Sequence, residues 1–416
     1  MTHVFWKSFG PGLLWAAAAI GISHLVQATR AGATAGFALW WVIVLALLLK
    51  YPFFEYGPRY AAATGESLVE GYRRIGKWAL WLYVGITLAT ALIIQVAVVL
   101  FTAFLFQFVF RLNWSLAVVA GAIVAICALL LGLGKFRALD LTIKGVLALL
   151  AVSTLVAAFV ALPRIDAATL SPWPLVERGS VTFAFLLALV GWMPSAIDIS
   201  VWSSLWTLAK ERDTGTRVSV DHALLDFRIG YVGTAVLAFA FVALGAGVMH
   251  GSGTAFSPQG TAFSVQLVHL YGESLGGWTR PVVLVAVVTT MFSTSLTVID
   301  GFPRALARSV RVLASDDRAV GRDEVPIYWL ALAVLGVLTV AVIALFSGNL
   351  TTMVDFATIV SFITAPVLGY LNLRAVRAPH VAPEHRPGPK LVVLSYVGLV
   401  LLGGTGVVYV FWKLLG

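Results

Sequence analysis

Long apolar stretches separated by short polar ones dominate this chain, and most of them have the length of a membrane-spanning helix. A helix needs about 20 mainly apolar residues to cross the hydrocarbon core of a bilayer. About eleven stretches meet this requirement, and we number them segments 1 to 11 in chain order. They cover residues 10–33, 36–58, 78–109, 113–133, 138–162, 180–209, 226–250, 279–311, 325–347, 350–375 and 390–414. The pattern predicts an all-α polytopic membrane protein with about eleven transmembrane helices, joined by loops that include residues 251–277.

Two of these segments are interrupted by polar or helix-breaking residues near the middle of the membrane. Segment 1 contains Gly21-Ile22-Ser23-His24, and segment 6 contains Gly191-Trp192-Met193-Pro194-Ser195-Ala196. Proline removes a backbone donor and clashes with the preceding helical turn. Unwound backbone at this depth is tolerated only where it is enclosed by protein or lines a cavity. We therefore predict that segments 1 and 6 are discontinuous near residues 21–24 and 192–196, with a binding site between the two breaks.

The two interrupted segments also predict an internal repeat. Segments 1–5 and 6–10 can be aligned so that the breaks coincide, each about a dozen residues into its segment. Because each half has an odd number of segments, the halves have opposite orientations, which is the inverted-repeat plan of many secondary transporters. The predicted boundaries are residues 1–162 for the first repeat, 180–376 for the second, and 390–416 for an additional helix 11.

Composition supports the membrane assignment and excludes several classes of function. Hydrophobic residues make up 60% of the chain and charged residues only 11%, whereas soluble domains have about 25% charged residues. The net charge of +9 comes from Lys and Arg that cluster between segments, mostly on one side. This asymmetry predicts a cytoplasmic N-terminus and an external C-terminus. We expect the membrane to be a bacterial inner membrane. It gives no reason to expect a nucleic-acid partner, and the expected partners are the lipid membrane and a small-molecule or ion substrate.

Motifs for enzyme chemistry are missing from the sequence. There is no HExxH, P-loop or GxSxG pattern, so we expect neither an enzyme nor a cofactor. The one cysteine, Cys127, excludes a disulfide within the chain and a cysteine-based metal site. The oligomeric state stays open, and a monomer is compatible with the sequence.

Two ionisable side chains lie next to the predicted breaks. Such groups inside a membrane usually face the bundle interior or a wet cavity. His24 is therefore a candidate for binding substrate or carrying a proton, or alternatively it satisfies backbone groups freed by the break. Asp198, one turn beyond Pro194, is a candidate proton or cation site, or alternatively a cap for free amides. Ser195 is a weaker candidate, because serine also packs helices in membranes.

Other charged residues within the apolar segments are interpreted as ion pairs. Arg30 lies about two turns beyond the break in segment 1, and we expect it to pair with Asp355 of segment 10. Lys50 and Glu55 of segment 2 are expected to neutralise each other near the inner end of that segment. We assign the pair of Lys50 and Glu55 no role in transport.

Five stretches carry a resemblance to a known family. They are Gly10-Pro11-Gly12-Leu13-Leu14, Ala31-Gly32-Ala33, Ala63-Thr64-Gly65-Glu66-Ser67-Leu68, Met193-Pro194 and Ser293-Thr294-Ser295-Leu296-Thr297. Together they resemble the NRAMP transporters of divalent metals, and the resemblance covers most of the chain. It implies a LeuT-type fold, with a 5+5 inverted repeat in which helices 1 and 6 are discontinuous.

The resemblance also implies positions for the substrate site, and this chain departs from the family there. The family's Asp-Pro-Gly-Asn break in helix 1 supplies metal ligands, and its positions are Gly21 to His24 here. The family's Met-Pro-His-Asn in helix 6 matches residues 193–196, so Met193 is the only expected ligand that is retained. A glutamate that serves protons in the family falls on Gln95. A polar residue of helix 10 that helps to occlude the ion falls near Thr358.

Two functions remain open at this stage. A divalent cation in a low-dielectric cavity needs anionic or strongly dipolar oxygen, and nothing anionic lies at the helix 1 break. We therefore expect a transporter of a small polar or anionic solute, whose negative group would face half-helix N-termini. Proton coupling stays open. The alternative is a divalent metal transporter of the manganese, iron or magnesium type that uses His24, Met193 and Asp198. The predicted site comprises Gly21, Ser23, His24, Gln95, Met193, Ser195, Ala196, Asp198 and Thr358.

Overall fold

The described part of the chain consists of helices and short connections. The structure is a computed structural model that describes residues 10–133, 136–171, 181–252, 256–257, 259–314, 324–346 and 349–415. These residues form fifteen α-helices and no strand. In chain order, α1 to α15 are Pro11–Ala19, Thr29–Ala35, Trp40–Thr64, Leu68–Ile75, Lys77–Phe110, Leu116–Gly132, Phe136–Ala161, Phe183–Trp192, Ile199–Thr214, Val220–Val248, Gly260–Leu275, Arg280–Ala314, Glu324–Phe346, Leu350–Val376 and Pro389–Leu415.

The helices agree with the predicted class, although not with the full predicted count. Among the described residues, eight helices are long and apolar enough to cross a membrane, and the bent pair α1 and α2 makes nine. Helices α6 and α8 have only 17 and 10 residues, which is short for a complete span. The all-α membrane architecture is therefore confirmed, whereas the count of eleven is not. Helices α4 and α11 are additional, because they lie in stretches predicted as connections.

Segment 1 is broken where the sequence predicts it. Helix α1 ends at Ala19, and Ile20 leaves helical geometry with φ −80° and ψ 74°. The chain resumes as a π-helical turn, Ser23–Ala28, which continues into α2. The two parts are bent by 43° relative to each other. Single π-turns of this kind are rare and frequently lie at functional sites.

Segment 6 is also discontinuous. Helix α8 ends at Trp192, Met193 is extended with φ −90° and ψ 114°, and α9 begins only at Ile199. The peptide bond between Met193 and Pro194 is cis. Both predicted breaks are therefore confirmed, and each leaves a short stretch of irregular backbone inside the bundle.

Helix α10 holds the two halves of segment 1 through glycine contacts. A Cβ on Gly12 of α1 would lie 2.2 Å from the carbonyl oxygen of Asp226, and one on Gly32 of α2 would lie 2.1 Å from that of Val242. The amide of Gly12 also donates to the Asp226 carboxylate at 2.7 Å. Small residues permit such close approach of helices in membranes. Both halves of the broken helix are thus fixed against one continuous partner.

Candidate functional site

A cavity of about 40 Å³ lies between the breaks of segments 1 and 6. Its wall is mostly apolar and includes Ile94 of α5 and Phe302 of α12. The polar side chains on the wall are those of Ser23, Trp192, Ser195, Asp198, Trp202 and Thr294. A water molecule needs roughly 10–15 Å³ of such space, so the cavity has room for about three waters or a solute of similar size.

The structure brings four of the nine predicted site residues to this cavity. They are Ser23, Ser195, Ala196 and Asp198. Gly21 lies at the break itself, and a Cβ at this position would meet the Thr294 side chain at 2.8 Å. The other four do not line the cavity and are His24, Gln95, Met193 and Thr358.

Asp198 supplies the carboxyl group of the cavity. The residue precedes α9, is 1% exposed, and makes no capping hydrogen bond to that helix. Its Oδ1 accepts a long hydrogen bond of 3.5 Å from the Thr90 hydroxyl. Its Oδ2 is buried and has no hydrogen-bond partner among the described residues. The geometry therefore favours a site role for Asp198 over the capping role that the sequence left open.

Trp202 supplies a hydrogen-bond donor to the same wall. Its indole Nε1 is buried and has no partner among the described residues. The indole packs edge-on against the ring of Phe302, with 4.7 Å between the two ring centres. This contact holds the indole in place. The other tryptophan of the wall differs, since Trp192 donates from Nε1 to the hydroxyl of Ser361 at 2.8 Å. The cavity thus combines one free acceptor, on Asp198, with one free donor, on Trp202.

His24 points away from the cavity and toward α10. Its Nε2 donates to the carbonyl oxygen of Thr234 at 2.9 Å, and its Nδ1 pairs with the Ser23 hydroxyl at 2.7 Å. The Ser23 hydroxyl also lies 2.6 Å from the carbonyl oxygen of Ala19, at the end of α1. The ring is fully buried and contacts the edge of Phe241. These contacts support the structural alternative, in which His24 binds backbone and hydroxyl groups around the break.

The three remaining predicted residues are not part of the cavity wall. Met193 is fully buried without lining the cavity. Gln95 donates from Nε2 to the Thr339 hydroxyl of α13 at 3.0 Å, on another face of α5 from Ile94. The Thr358 hydroxyl accepts a 3.4 Å hydrogen bond from Gln27. In this conformation, these side chains do not contribute to the space between the two breaks.

Lys50 is a buried cation. The predicted ion pair between Lys50 and Glu55 is wrong. Glu55 instead forms an ion pair with Arg59. The ammonium of Lys50 reaches the break in segment 6 and donates to three carbonyl oxygens, those of Val190 at 3.1 Å, Gly191 at 2.9 Å and Ser195 at 2.7 Å. The sequence does carry a signal for such a role, because a lysine in the middle of an apolar segment is costly unless its charge is bonded.

The predicted pair of Arg30 and Asp355 is confirmed. Arg30 donates from both terminal nitrogens to the Asp355 carboxylate, at 2.7 and 3.2 Å. Gln27 bonds to both partners, and the guanidinium lies 5.0 Å above the ring centre of Phe185. The network connects α2, α8 and α14.

Three polar residues of the cavity, Trp192, Trp202 and Thr294, are not among the predicted site residues. Trp202 is four residues after Asp198, and this spacing places both on one face of a helix. Thr294 belongs to the stretch Ser293 to Thr297, which the sequence comparison with a known family already singled out. The spacing from Asp198 identifies Trp202, whereas the place of Thr294 on the wall depends on how α12 packs against segment 1.

Sequence comparison finds relatives over nearly the whole chain. A family model named Nramp, described as natural resistance-associated macrophage protein-like, matches residues 12–412. An uncharacterized protein of Pasteurella multocida is 36% identical over 409 residues, which cover 96% of this chain and 91% of that protein.

Structural comparison finds transporters. The crystal structure of a manganese transporter from Eremococcus coleocola, in a mutant form, has a TM-score of 0.74 and 14% identity, and the match covers 98% of this chain and 88% of the other. A nucleobase-cation-symport-1 family transporter has a TM-score of 0.58 and 15% identity, with 96% and 89% covered. At these identities the likeness concerns the fold alone. The chain has a LeuT-type fold, in which helices 1 and 6 are discontinuous.

Proposed function

Because this chain belongs to the Nramp family, we propose that it is a secondary-active transporter that carries a small polar solute instead of a transition-metal ion. The chain is an integral membrane protein of a transporter family. One observation carries the proposal about its substrate. Among the residues that line the cavity between the breaks, Asp198 is the one acidic residue, and no histidine, methionine or cysteine accompanies it.

The ligands that a metal site needs do not meet at this cavity. Of His24, Met193 and Asp198, only Asp198 lines it. Within the described ranges, no three His, Cys, Asp or Glu side chains lie close enough together to hold a metal ion. A Cβ at the position of Gly21, which the family's aspartate has, would also lie only 2.8 Å from the Thr294 side chain. Because a hard divalent cation takes about six oxygen ligands, this arrangement supports a different substrate.

Asp198 and Trp202 indicate the polarity of the proposed solute. Leaving a buried polar group unpaired costs about 1–3 kcal/mol, so a solute that offers a donor to Asp198 and an acceptor to Trp202 is favoured. The N-terminal end of α9 adds a partial positive charge next to them. The carboxylate of Asp198 opposes a fully anionic solute. We therefore infer a neutral or zwitterionic molecule, about the size of three waters.

Proton coupling and orientation belong to the same proposal. Asp198 is the candidate proton carrier, because it is a buried carboxyl on the cavity wall with one unpaired oxygen. The distribution of Lys and Arg supports a cytoplasmic N-terminus, and the proposed location is a bacterial inner membrane.

A divalent metal ion is the second candidate, and one feature of the cavity favours it. The unpaired Oδ2 of Asp198 is an anionic oxygen beside space for water, and a partly hydrated ion such as Mg²⁺ needs few protein ligands. The Eremococcus coleocola protein of similar fold is a manganese transporter. Against this candidate, the buried ammonium of Lys50 donates to the carbonyl oxygen of Ser195, a residue of the cavity wall, and so places a positive charge next to the cavity.

Thermal unfolding of the purified protein with a panel of compounds tests the choice between the two candidates. The panel contains formamide, acetamide, glycine, acetate, manganese chloride and magnesium chloride. We expect saturable stabilisation by at least one neutral or zwitterionic compound, of about 2.7 kcal/mol at one hundred times its Kd, and none by manganese.

The matched variants are Asp198→Asn and Asp213→Asn, since Asp213 lies exposed at the other end of α9. Asp198→Asn should remove the response, and Asp213→Asn should keep it. Saturable stabilisation by manganese that only Asp198→Asn removes would contradict the proposal and favour the metal.

A further inference from the structure

Lys50 lies where the two halves of segment 6 separate. Its side chain comes from the middle of α3 and is 1% exposed. Two of its three acceptors, the carbonyl oxygens of Val190 and Gly191, belong to the last turn of α8, and the third, that of Ser195, lies in the irregular backbone between α8 and α9. One ammonium group therefore joins the end of α8 to the irregular backbone that follows it.

The surroundings of this ammonium have the chemistry of a site for a monovalent cation. The C-terminal end of α8 carries partial negative charge from its free carbonyls. The charge of Asp198 interacts with that of Lys50, and the ammonium lies 5.6 Å from the ring centre of Phe54. In transporters with broken helices, unwound carbonyls and half-helix C-termini are the groups that coordinate Na⁺.

We propose that the carbonyl oxygens of Val190, Gly191 and Ser195 form a cation site that the Lys50 ammonium fills. The chain itself thus supplies the cation that holds the end of α8 against the irregular backbone that follows it. At this position the protein has no need of Na⁺ or K⁺. The proposal concerns the break and goes beyond the choice of solute, so it stands or fails independently of the substrate assignment.

Removal of the side chain should open the site to an added cation. Lys50→Ala deletes three methylene groups and the ammonium, which together correspond to n-propylammonium. In the full-length protein purified in choline chloride, we expect Lys50→Ala to lower the Tm by roughly 5 °C. Addition of n-propylammonium, Na⁺ or K⁺ at constant ionic strength should recover at least half of this loss, with saturation. The wild-type Tm should be the same in all four salts.

Two further variants separate a filled cation site from a lysine that only packs. Lys50→Met keeps the length of the stem and occupies the space, so its Tm should fall without recovery by any cation. Lys77→Ala removes an exposed lysine at the start of α5 and should behave as wild type. If Lys50→Ala cannot be purified in choline chloride, its yield from membranes solubilised with n-propylammonium is compared in the same way.

Recovery of Lys50→Ala by a cation, without recovery of Lys50→Met, would support the proposal. A Lys50→Ala protein with equal Tm or equal yield in all four salts would overturn it. A Lys50→Met protein as stable as wild type would overturn it as well, since the three carbonyls would then need no cation. No solute enters these measurements, so a failure here leaves the substrate proposal intact, and the reverse also holds.

Discussion

Gly191 packs against the backbone of α14 without room for a side chain. A Cβ on Gly191 would lie 2.0 Å from the carbonyl oxygen of Thr358, a backbone atom that cannot move without displacing its helix. We expect Gly191→Ala to lower the free energy of unfolding by about 1–3 kcal/mol, as overpacked contacts do. The matched control is Gly85→Ala in α5, because a Cβ there meets no atom within 4 Å. Thermal unfolding measures both, and equal losses of stability in the two variants would contradict the tight contact.

For single residues, the sequence correctly predicts a place at the cavity where the position along the chain alone decides it. Asp198 and Ser195 reach the cavity because they immediately follow the break in segment 6. His24 does not, because the π-helical turn that begins at Ser23 directs its ring toward Thr234. Side-chain directions at a break depend on backbone angles that residue types do not specify. The partners of Lys50 could not be predicted for a related reason, since they are backbone carbonyls that exist as acceptors only once the helix is broken.

At the scale of elements, the sequence predicts the broken helices and misses the short ones. Glycine and proline inside apolar segments carry enough information to locate both breaks. Helix α4, Leu68–Ile75, is too short and polar to give an apolar run, although Ser67 and Glu70 form the capping box that marks its start. Glu70 also forms a buried ion pair with Arg308 of α12, a contact between residues distant in sequence that no local pattern indicates.

The whole chain has an asymmetry of basic residues that predicts its orientation. We expect a reporter enzyme that is active only outside the cytoplasm to be active when fused after Gly416. The same reporter should be inactive when placed at residues 378–389, between α14 and α15, because that connection lies on the basic side. Activity at both positions, or at 378–389 alone, would contradict the orientation. The boundaries of the two repeats, at residues 162, 180 and 376, also concern the whole chain and stay a prediction.

The central claim is that the cavity beside Asp198 serves a polar solute and not a transition metal. The most direct test of this claim is manganese uptake into proteoliposomes. Wild-type protein, Asp198→Asn and Met193→Ala are reconstituted at equal density into vesicles that contain a manganese-sensitive dye, with an inward proton gradient. An ionophore added at the end confirms that the vesicles are sealed and that the dye responds. We predict no saturable uptake by the wild type above that of Asp198→Asn. Saturable wild-type uptake that Asp198→Asn or Met193→Ala abolishes would contradict the account and assign the cavity to a metal ion.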